Sequence, residues 1–223
     1  MHNAVRLIMN ITALRPRLIG CIDPIGNLFV RIGMKPNQIT VLSLVFGIAC
    51  AVCYMNQQFL AGSILLLISA VLDLVDGNVA RKTNRKSDFG AVLDWIIDKY
   101  VDGLVLLGIG LSGTAIISQF VAVPAYTDIA IVGLAIIGSL MNTFIKPVTY
   151  AEIGYTKKED GKISDPLEGV GFFGRPETIL CLIVFGLISQ IWIAVILIAV
   201  CTNLSALQRI IYLARRYGSY KQE

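Results

Sequence analysis

Six long apolar segments dominate this chain of 223 residues, of which 56% are hydrophobic and only 15% are charged. Soluble domains carry about 25% charged residues, so the composition excludes an ordinary soluble fold. An α-helix needs about 20 mostly apolar residues to cross a bilayer. We therefore predict an all-α polytopic membrane protein with six transmembrane helices between residues 37 and 214. The candidate spans are roughly 37–55, 59–82, 89–112, 127–149, 175–190 and 191–214.

The residues before the first span predict a different kind of helix. Apolar side chains recur there at helical spacing, with arginines on other faces; they are Leu7, Ile8, Ile11, Leu14 and Leu18. This pattern is typical of an amphipathic helix lying on the membrane surface, although a frayed basic terminus is an alternative. We assign 1–35 to this interfacial helix and its lead-in. Residues 1–223 are treated as a single domain, because no long linker or low-complexity tract divides them.

Lysine and arginine occur in every second connection between the predicted spans, and therefore on one side of the membrane. They occur before the first span, between spans two and three, around the connection of spans four and five, and after the last span. The connections near 56–57, 112–126 and 189–190 contain neither residue. The positive-inside rule then places both termini in the cytosol of a multi-pass protein of the cell membrane. We attribute the net charge of +4 to anchoring at anionic headgroups and expect no nucleic-acid partner.

Four aspartates interrupt the second and third spans. Asp73 and Asp76 are three residues apart and Asp94 and Asp98 are four apart, so each pair lies on one helix face. Charged groups at membrane depth are costly and usually mark an ion or substrate site. Carboxylate oxygens suit Mg²⁺, Mn²⁺ or Ca²⁺, whereas Zn²⁺ would favour cysteine or histidine. Because four like charges cannot stay ionised together without cations, we predict a divalent-metal site on the cytosolic side.

Small and basic residues are interleaved with these acids. Gly77, Ala80 and Gly90 would leave room for a ligand near the backbone, although small residues also serve close helix packing. Arg81 offers a planar fork suited to phosphate, but it could equally anchor a headgroup. Metals, an arginine and a cleft together favour phosphoryl-group transfer. Asp98, the acid farthest along its helix from the loop, is the candidate general base.

The spacing D-x2-D-G-x2-A-R-x8-G-x3-D-x3-D, from Asp73 to Asp98, resembles the defining motif of the CDP-alcohol phosphotransferase family at every specified position. The resemblance implies two divalent ions, Mg²⁺ or Mn²⁺, and a homodimer. In that family an alcohol attacks the lipid-linked phosphate of a CDP-lipid and CMP leaves. The residues implied are Asp73, Asp76 and Asp94 as metal ligands, Asp98 beside them as base, and Gly77, Ala80, Arg81 and Gly90 as the CDP site.

The acceptor depends on basic residues outside the motif. Lys146, Arg175 and Arg209 lie at the predicted cytosolic ends of spans four to six, and their convergence would favour a phosphorylated acceptor. Each also has an ordinary structural explanation as a snorkelling or helix-start residue. Arg175-Pro-Glu resembles a segment of phosphatidylinositol-phosphate and archaetidylinositol-phosphate synthases, and so does Pro36-Asn-Gln-Ile-Thr40. Glu152 departs from that branch, which usually has a basic residue there.

We therefore expect inositol phosphate as the acceptor, with glycerol 3-phosphate as the alternative. A membrane cation transporter would belong to a different class and predicts polar groups towards the far side. Asp128 is the only charge there. Asp102 extends the aspartate series by one turn outside the motif, and we expect it to pair with a cation or a polar group rather than to bind a metal. Four glycines are candidates for a helix–helix contact: Gly103, Gly108, Gly133 and Gly138.

Overall fold

The computed structural model describes residues 15–124, 126–153, 158–159, 162–163, 167 and 169–218. Seven α-helices run through these residues. They are α1 Arg15–Ile32, α2 Pro36–Met55, α3 Phe59–Lys82, α4 Asp88–Leu111, α5 Tyr126–Ile153, α6 Arg175–Leu187 and α7 Ile191–Tyr217. Between α5 and α6, β1 (Lys158–Glu159) pairs with β2 (Lys162–Ile163) in an antiparallel hairpin. This two-residue pairing is the one departure from the predicted all-α class among the described residues.

Each predicted span coincides with a helix, but not every helix has the length and apolar composition needed to cross a membrane. Four of those described are long and apolar enough: α2, α3, α5 and α7. Helix α4 has sufficient length, with 24 residues, but carries acids and Lys99 along it. Helix α6 has 13 residues and is therefore about 20 Å long, less than the hydrocarbon core of a bilayer. The chain is thus a multi-pass membrane protein, and the full count of six spans stays a prediction.

Large apolar side chains cover the outside of the helices. Val45 on α2, Leu67 on α3, Leu107 on α4 and Ile137 on α5 each expose about half of their surface. Extended apolar surface of this kind is rare on soluble monomers and marks contact with another apolar phase. The distribution fits helices that face lipid on one side and each other on the other.

Helix α1 precedes the first predicted span and packs against α3. Asn78 donates from Nδ2 to Asp23 Oδ1 over 2.7 Å, and Lys82 Nζ lies 3.0 Å from the same oxygen. Ile22 joins a small apolar cluster with Val75 and Val79 of α3. The residues on which an interfacial helix was predicted, 7–14, lie outside the described part of the chain, as does the side chain of Leu18. That prediction is therefore untested.

Helix α2 connects the two halves of the aspartate motif. Both α3 and α4 pack along it, while α5 packs against α7. A side chain at Gly108 of α4 would collide with the backbone of Ala51 on α2, so only glycine permits this approach. Gly138 of α5 is similarly pressed against Thr202 and Asn203 of α7. Two of the four candidate glycines thus serve contacts inside the chain, whereas Gly103 and Gly133 have open space beside them.

Candidate active site

Three of the four motif carboxylates meet between α3 and α4. One oxygen from each of Asp73, Asp94 and Asp98 lies within 4.8 Å of the other two. The helices reach this arrangement because both pack on α2, which holds their acidic faces side by side. We call these three residues the acidic cluster. Its donor set consists of carboxylate oxygens alone, which suits hard divalent cations such as Mg²⁺ and Mn²⁺.

Asp76 is oriented differently from the acidic cluster. It is almost fully buried, and its Oδ2 accepts a hydrogen bond of 2.5 Å from the Thr40 hydroxyl on α2. The same hydroxyl lies 3.1 Å from the carbonyl of Pro36, so its single proton has two acceptors, of which the carboxylate is nearer and charged. Of the four carboxylates predicted to form a cage, three therefore converge, and the fourth, Asp76 of α3, is hydrogen-bonded to Thr40 of α2 instead.

The acidic cluster has the features expected of a cation site. Oδ1 of Asp98 is buried and is held by an ion pair that lacks the geometry of a hydrogen bond. The positive charge that faces it belongs to Arg175, whose Nη2 lies 2.7 Å away. A converging set of carboxylate oxygens fits a divalent ion, and Asp73, Asp94 and Asp98 are the residues that would hold it.

Arg175 begins α6 and reaches back over the acids. The helix starts there because Gly174 is extended and its N–H donates to Glu177 over 2.8 Å, which satisfies one free amide of the first turn. The guanidinium Nη1 donates to Asp73 over 3.1 Å. The sequence predicted Arg175 as a ligand of the acceptor phosphate. The structure puts it at the edge of the acidic cluster, in contact with Asp73 and Asp98.

Asp102 lies one turn beyond Asp98 and is completely buried. Lys99 Nζ donates to its Oδ2 over 2.9 Å, and Arg175 Nε donates to its Oδ1 over 3.3 Å. The prediction that Asp102 pairs with a cation is confirmed, with two cations rather than one. Lys99 also donates to Thr143 on α5 over 3.1 Å, which ties the pair to a second helix.

Arg209 on α7 is buried and supports the segment that leads into α6. Its Nε donates to the carbonyl of Val170 over 2.9 Å, and its Nη1 donates to the carbonyl of Asn142 on α5. Asn142 in turn donates to the carbonyl of Phe173 over 2.7 Å. The structure therefore links Arg209 to Arg175 through residues 170–174. Lys146 is half-buried on α5, one turn after Asn142.

The residues predicted to hold CDP lie around the start of α4 and the end of α3. Gly90 is close to α2, since a Cβ there would lie 3.1 Å from Asn37 Oδ1. Gly77 and Ala80 are partly exposed and Arg81 is exposed, so this surface is open. A cavity of about 220 Å³ lies beside Asn37 and Ser87, the two residues that a Cβ at Gly90 would approach. Its lining residues are Lys35, Pro36, Asn37, Gln38, Arg85 and Ser87.

With this geometry established, comparison with known proteins decides the family. The profile of CDP-alcohol phosphatidyltransferases matches residues 34–202, which is most of the chain. The chain belongs to this family. It is therefore a transferase of substituted phosphate groups, and the predicted resemblance is confirmed.

Individual relatives of this transferase carry more specific names. An archaetidylinositol phosphate synthase of Pyrococcus horikoshii is 29% identical over 201 residues, covering 90% of this chain and 94% of the relative. A phosphatidylinositol phosphate synthase of Streptomyces avermitilis is 36% identical over 91 residues, covering 40% of this chain and 37% of the relative.

Solved structures show the same fold. A phosphatidylinositol phosphate synthase of Mycobacterium tuberculosis with CDP-DAG bound has a TM-score of 0.68 at 22% identity, covering 86% of this chain and 92% of that one. The same synthase with manganese and citrate has a TM-score of 0.67 at 22% identity, covering 84% and 86%.

Two residues of the transferase site were missed by sequence reasoning. Thr40 bonds Asp76, and Asn37 lies beside Gly90. Both belong to the Pro36–Thr40 stretch at the start of α2, which attracted attention only as a resemblance. The available signal was their position at the predicted cytosolic end of a span, level with the aspartates. That position alone does not assign a role to either residue, because their contacts depend on α2 packing between α3 and α4.

Proposed function

We propose that this transferase moves a phosphatidyl or archaetidyl group from a CDP-lipid to a hydroxyl of inositol phosphate and releases CMP. The observation that carries the proposal is the acidic cluster, with three carboxylates within 4.8 Å and Arg175 bonded at its edge. Family membership supports the reaction type. The names of the Pyrococcus and Streptomyces relatives support inositol phosphate as the acceptor.

Two divalent ions, Mg²⁺ or Mn²⁺, are proposed as cofactors, with Asp73, Asp76, Asp94 and Asp98 around them. When bound, such ions stabilise the attacking and leaving oxygens of an in-line displacement. The all-carboxylate donor set and the buried Oδ1 of Asp98 support this assignment. The fold neighbour solved with manganese is consistent with it. Thr40 would keep Oδ2 of Asp76 engaged, leaving its Oδ1 to face the site.

Asp98 is proposed as the general base. Its carboxylate takes the proton of the acceptor hydroxyl, the hydroxyl oxygen forms the new P–O bond to the lipid-linked phosphorus, and the P–O bond to CMP breaks. Proton transfer by a positioned side chain contributes about 10²–10⁴-fold to a rate. Asp98 suits this role because it is a member of the acidic cluster and also contacts Arg175, beside which the acceptor would bind.

The donor and the acceptor are proposed to approach from two sides of the acidic cluster. Gly77, Ala80, Arg81 and Gly90 would hold the CDP moiety, on the open surface between the end of α3 and the start of α4. Lys146, Arg175 and Arg209 would bind the acceptor phosphate on the α5–α7 side. Arg175 has the strongest support because its guanidinium already borders Asp98. Arg209 can contribute directly or by holding the segment before Arg175.

The membrane arrangement completes the proposal. We propose that all six helices α2–α7 cross the cell membrane, with the termini and the acidic cluster on the cytosolic side, and that residues 1–35 contain an interfacial helix. Helix α4 can cross despite its acids, because Asp94, Asp98 and Asp102 face the protein rather than lipid. The family resemblance further suggests a homodimer. A cytosolic site lets a soluble acceptor meet a donor held in the inner leaflet.

Acceptor competition in vesicles tests the proposal. The purified chain would receive CDP-diacylglycerol or CDP-archaeol, Mn²⁺ or Mg²⁺, and labelled inositol phosphate or glycerol 3-phosphate, with Asp94→Asn as the inactive control. We expect CMP and labelled lipid to form in equal amounts with inositol phosphate, and at least about tenfold more slowly with glycerol 3-phosphate. Activity with glycerol 3-phosphate alone would overturn the acceptor. No CMP release with either acceptor would overturn the function.

A further inference from the structure

Asp102 is a fully buried carboxylate outside the motif, and it has one more cationic partner than its charge requires. Lys99, three residues earlier on the same helix, lies 2.9 Å from Oδ2 and already balances it. Arg175 reaches Oδ1 with Nε from a different helix. A buried ion pair is stable when its partner is close and the geometry is satisfied. The second cation is therefore not needed to keep Asp102 charged, so the benefit of this contact falls on Arg175.

The three nitrogen atoms of the Arg175 guanidinium face three different carboxylates. Nη1 lies 3.1 Å from Asp73, Nη2 lies 2.7 Å from Asp98, and Nε lies 3.3 Å from Asp102. Asp73 and Asp98 belong to the acidic cluster and Asp102 does not. A divalent cation in the acidic cluster would draw on Asp73 and Asp98 and would repel the guanidinium, since like charges a few ångströms apart interact strongly in a poorly solvated site. The contact between Asp102 and Nε would not be affected in this way, because Asp102 lies outside the acidic cluster.

We propose that Asp102 is a positioning residue that anchors Arg175 through Nε when Asp73 and Asp98 are engaged by a metal ion. The guanidinium then stays beside the acidic cluster with its Nη groups turned to the anionic acceptor. Lys99 secures the anchor by holding the other oxygen of Asp102 and by bonding Thr143 on α5. The inference rests on the proposed function for the identity of the anion, but the anchoring itself depends only on these contacts.

The first test is a double-mutant cycle on the acceptor KM. Asp102→Asn keeps the size of the side chain and removes its charge. We expect the KM for inositol phosphate to rise about tenfold, the effect of losing a direct charged contact, while kcat and the KM for CDP-lipid stay within about twofold. In an Arg175→Gln background, the same substitution adds less than about twofold. Asp128→Asn, in the first turn of α5, is the matched control and leaves all three constants unchanged.

The second test reads Mn²⁺ binding by electron paramagnetic resonance, without turnover. Without its anchor, Arg175 moves closer to Asp73 and Asp98 and competes with the ion, so Asp102→Asn weakens Mn²⁺ binding by roughly tenfold, at the lower end of the effects of residues that orient metal ligands. Arg175→Gln abolishes this effect. Equal weakening in both backgrounds would mean that Asp102 acts on the ion by its charge alone, and would overturn the inference.

The two proposals fail in different ways. Wild-type protein that releases no CMP with any acceptor overturns the proposed function, while the Mn²⁺ measurement still decides the role of Asp102. Transfer to inositol phosphate with an acceptor KM that Asp102→Asn leaves unchanged overturns the anchor alone. If Asp102→Asn does not fold, Arg175→Lys keeps the charge at position 175 but lacks the Nε–H, and the same rise in acceptor KM is expected. An unchanged KM in that variant overturns the anchor equally.

Discussion

The two ends of the helix bundle both bury polar side chains, but they satisfy them in opposite ways. At the end away from the acidic cluster, Tyr54 of α2 and Ser63 of α3 are both fully buried. Their hydroxyls lie 2.8 Å apart, and Tyr54 also donates to the carbonyl of Leu182 on α6 over 3.1 Å. This group, which we call the tyrosine junction, is neutral and closed. It ties three helices together with no group left for a ligand.

The acidic end uses the same helices but gathers charged side chains rather than neutral ones. Five carboxylates lie on neighbouring turns of α3 and α4, and the described residues place two cations, Lys99 and Arg175, directly against them. The carboxylates are Asp73, Asp76, Asp94, Asp98 and Asp102. Carboxylates crowded together at membrane depth repel one another, so such a group favours the binding of cations. A closed network of neutral polar groups stabilises the fold, whereas a group of converging carboxylates is suited to binding a ligand.

Among substitutions at the two ends of the bundle, we expect the largest effect on activity from Asp98→Asn. Asp98→Asn keeps the shape of the side chain but removes its ability to take a proton, so CMP release should fall about 10³-fold, within the usual range for a general base. The protein should remain folded, because removing one acid from a crowded group lessens repulsion. CMP release from purified protein in vesicles measures the rate, and thermal unfolding of the same sample checks the fold.

Asp128→Asn serves as the control for Asp98→Asn. Asp128 accepts from the backbone N–H of Ile117 over 2.8 Å and is remote from the acidic cluster along the chain. Turnover of Asp98→Asn within about tenfold of wild type would show that the proton goes elsewhere, since a general base contributes at least about 10²-fold.

A smaller effect is expected from removing a hydroxyl at the acidic end. Thr40→Val deletes the donor to Asp76 while keeping the branched shape, so Asp76 loses its orientation. Substitution of residues that orient metal ligands typically costs about 10–100-fold in metal affinity. Titration with Mn²⁺ measures the change. Thr40→Ser keeps the hydroxyl and should stay near wild type; equal losses in both variants would mean that packing, rather than the hydrogen bond, is responsible.

The difference between the two ends also explains what the sequence could predict. The acids were recognisable because charge in an apolar helix is costly and because their three- and four-residue spacings define one face. Family and reaction followed from Asp73 to Asp98, and each predicted span has a helix. These properties are local along the chain. They depend on no contact between distant segments.

Other features depend on distant contacts and could not be predicted. Arg175 is 102 residues away from Asp73, and only the fold shows that one guanidinium joins Asp73, Asp98 and Asp102. The turn of Asp76 towards Thr40 likewise depends on α2 lying between α3 and α4. The shortness of α6 was hidden because residues 188–190 are apolar or neutral, yet the helix ends at Leu187. The spacing of residues along one helix can be predicted from the sequence, whereas contacts between helices cannot.

The tyrosine junction offers a matched substitution with a different outcome. Tyr54→Phe removes a hydroxyl, as Thr40→Val does, but here the hydroxyl supports only the fold. We expect the free energy of unfolding to fall by about 1 kcal/mol, the net contribution of a buried hydrogen bond. Mn²⁺ affinity and turnover of the folded fraction should not change. Denaturant unfolding in detergent micelles measures the stability. A loss of Mn²⁺ affinity would show that the tyrosine junction and the acidic cluster are coupled, contrary to our expectation that they are independent.

The smallest effect is expected where α1 meets α3, since Asp23 is about half exposed and water screens its charge. The hydrogen bond from Asn78, and then the Lys82 ammonium, hold the pKa of Asp23 below its ordinary value. A carboxyl whose pKa is lower in the folded state stabilises the contact above about pH 4 and loses that contribution as pH falls through the lowered pKa. The distance between spin labels on α1 and α3 should therefore lengthen on acidification in wild type. Asp23→Asn should abolish this pH response, and a titration identical to wild type in that variant would assign the response to another group.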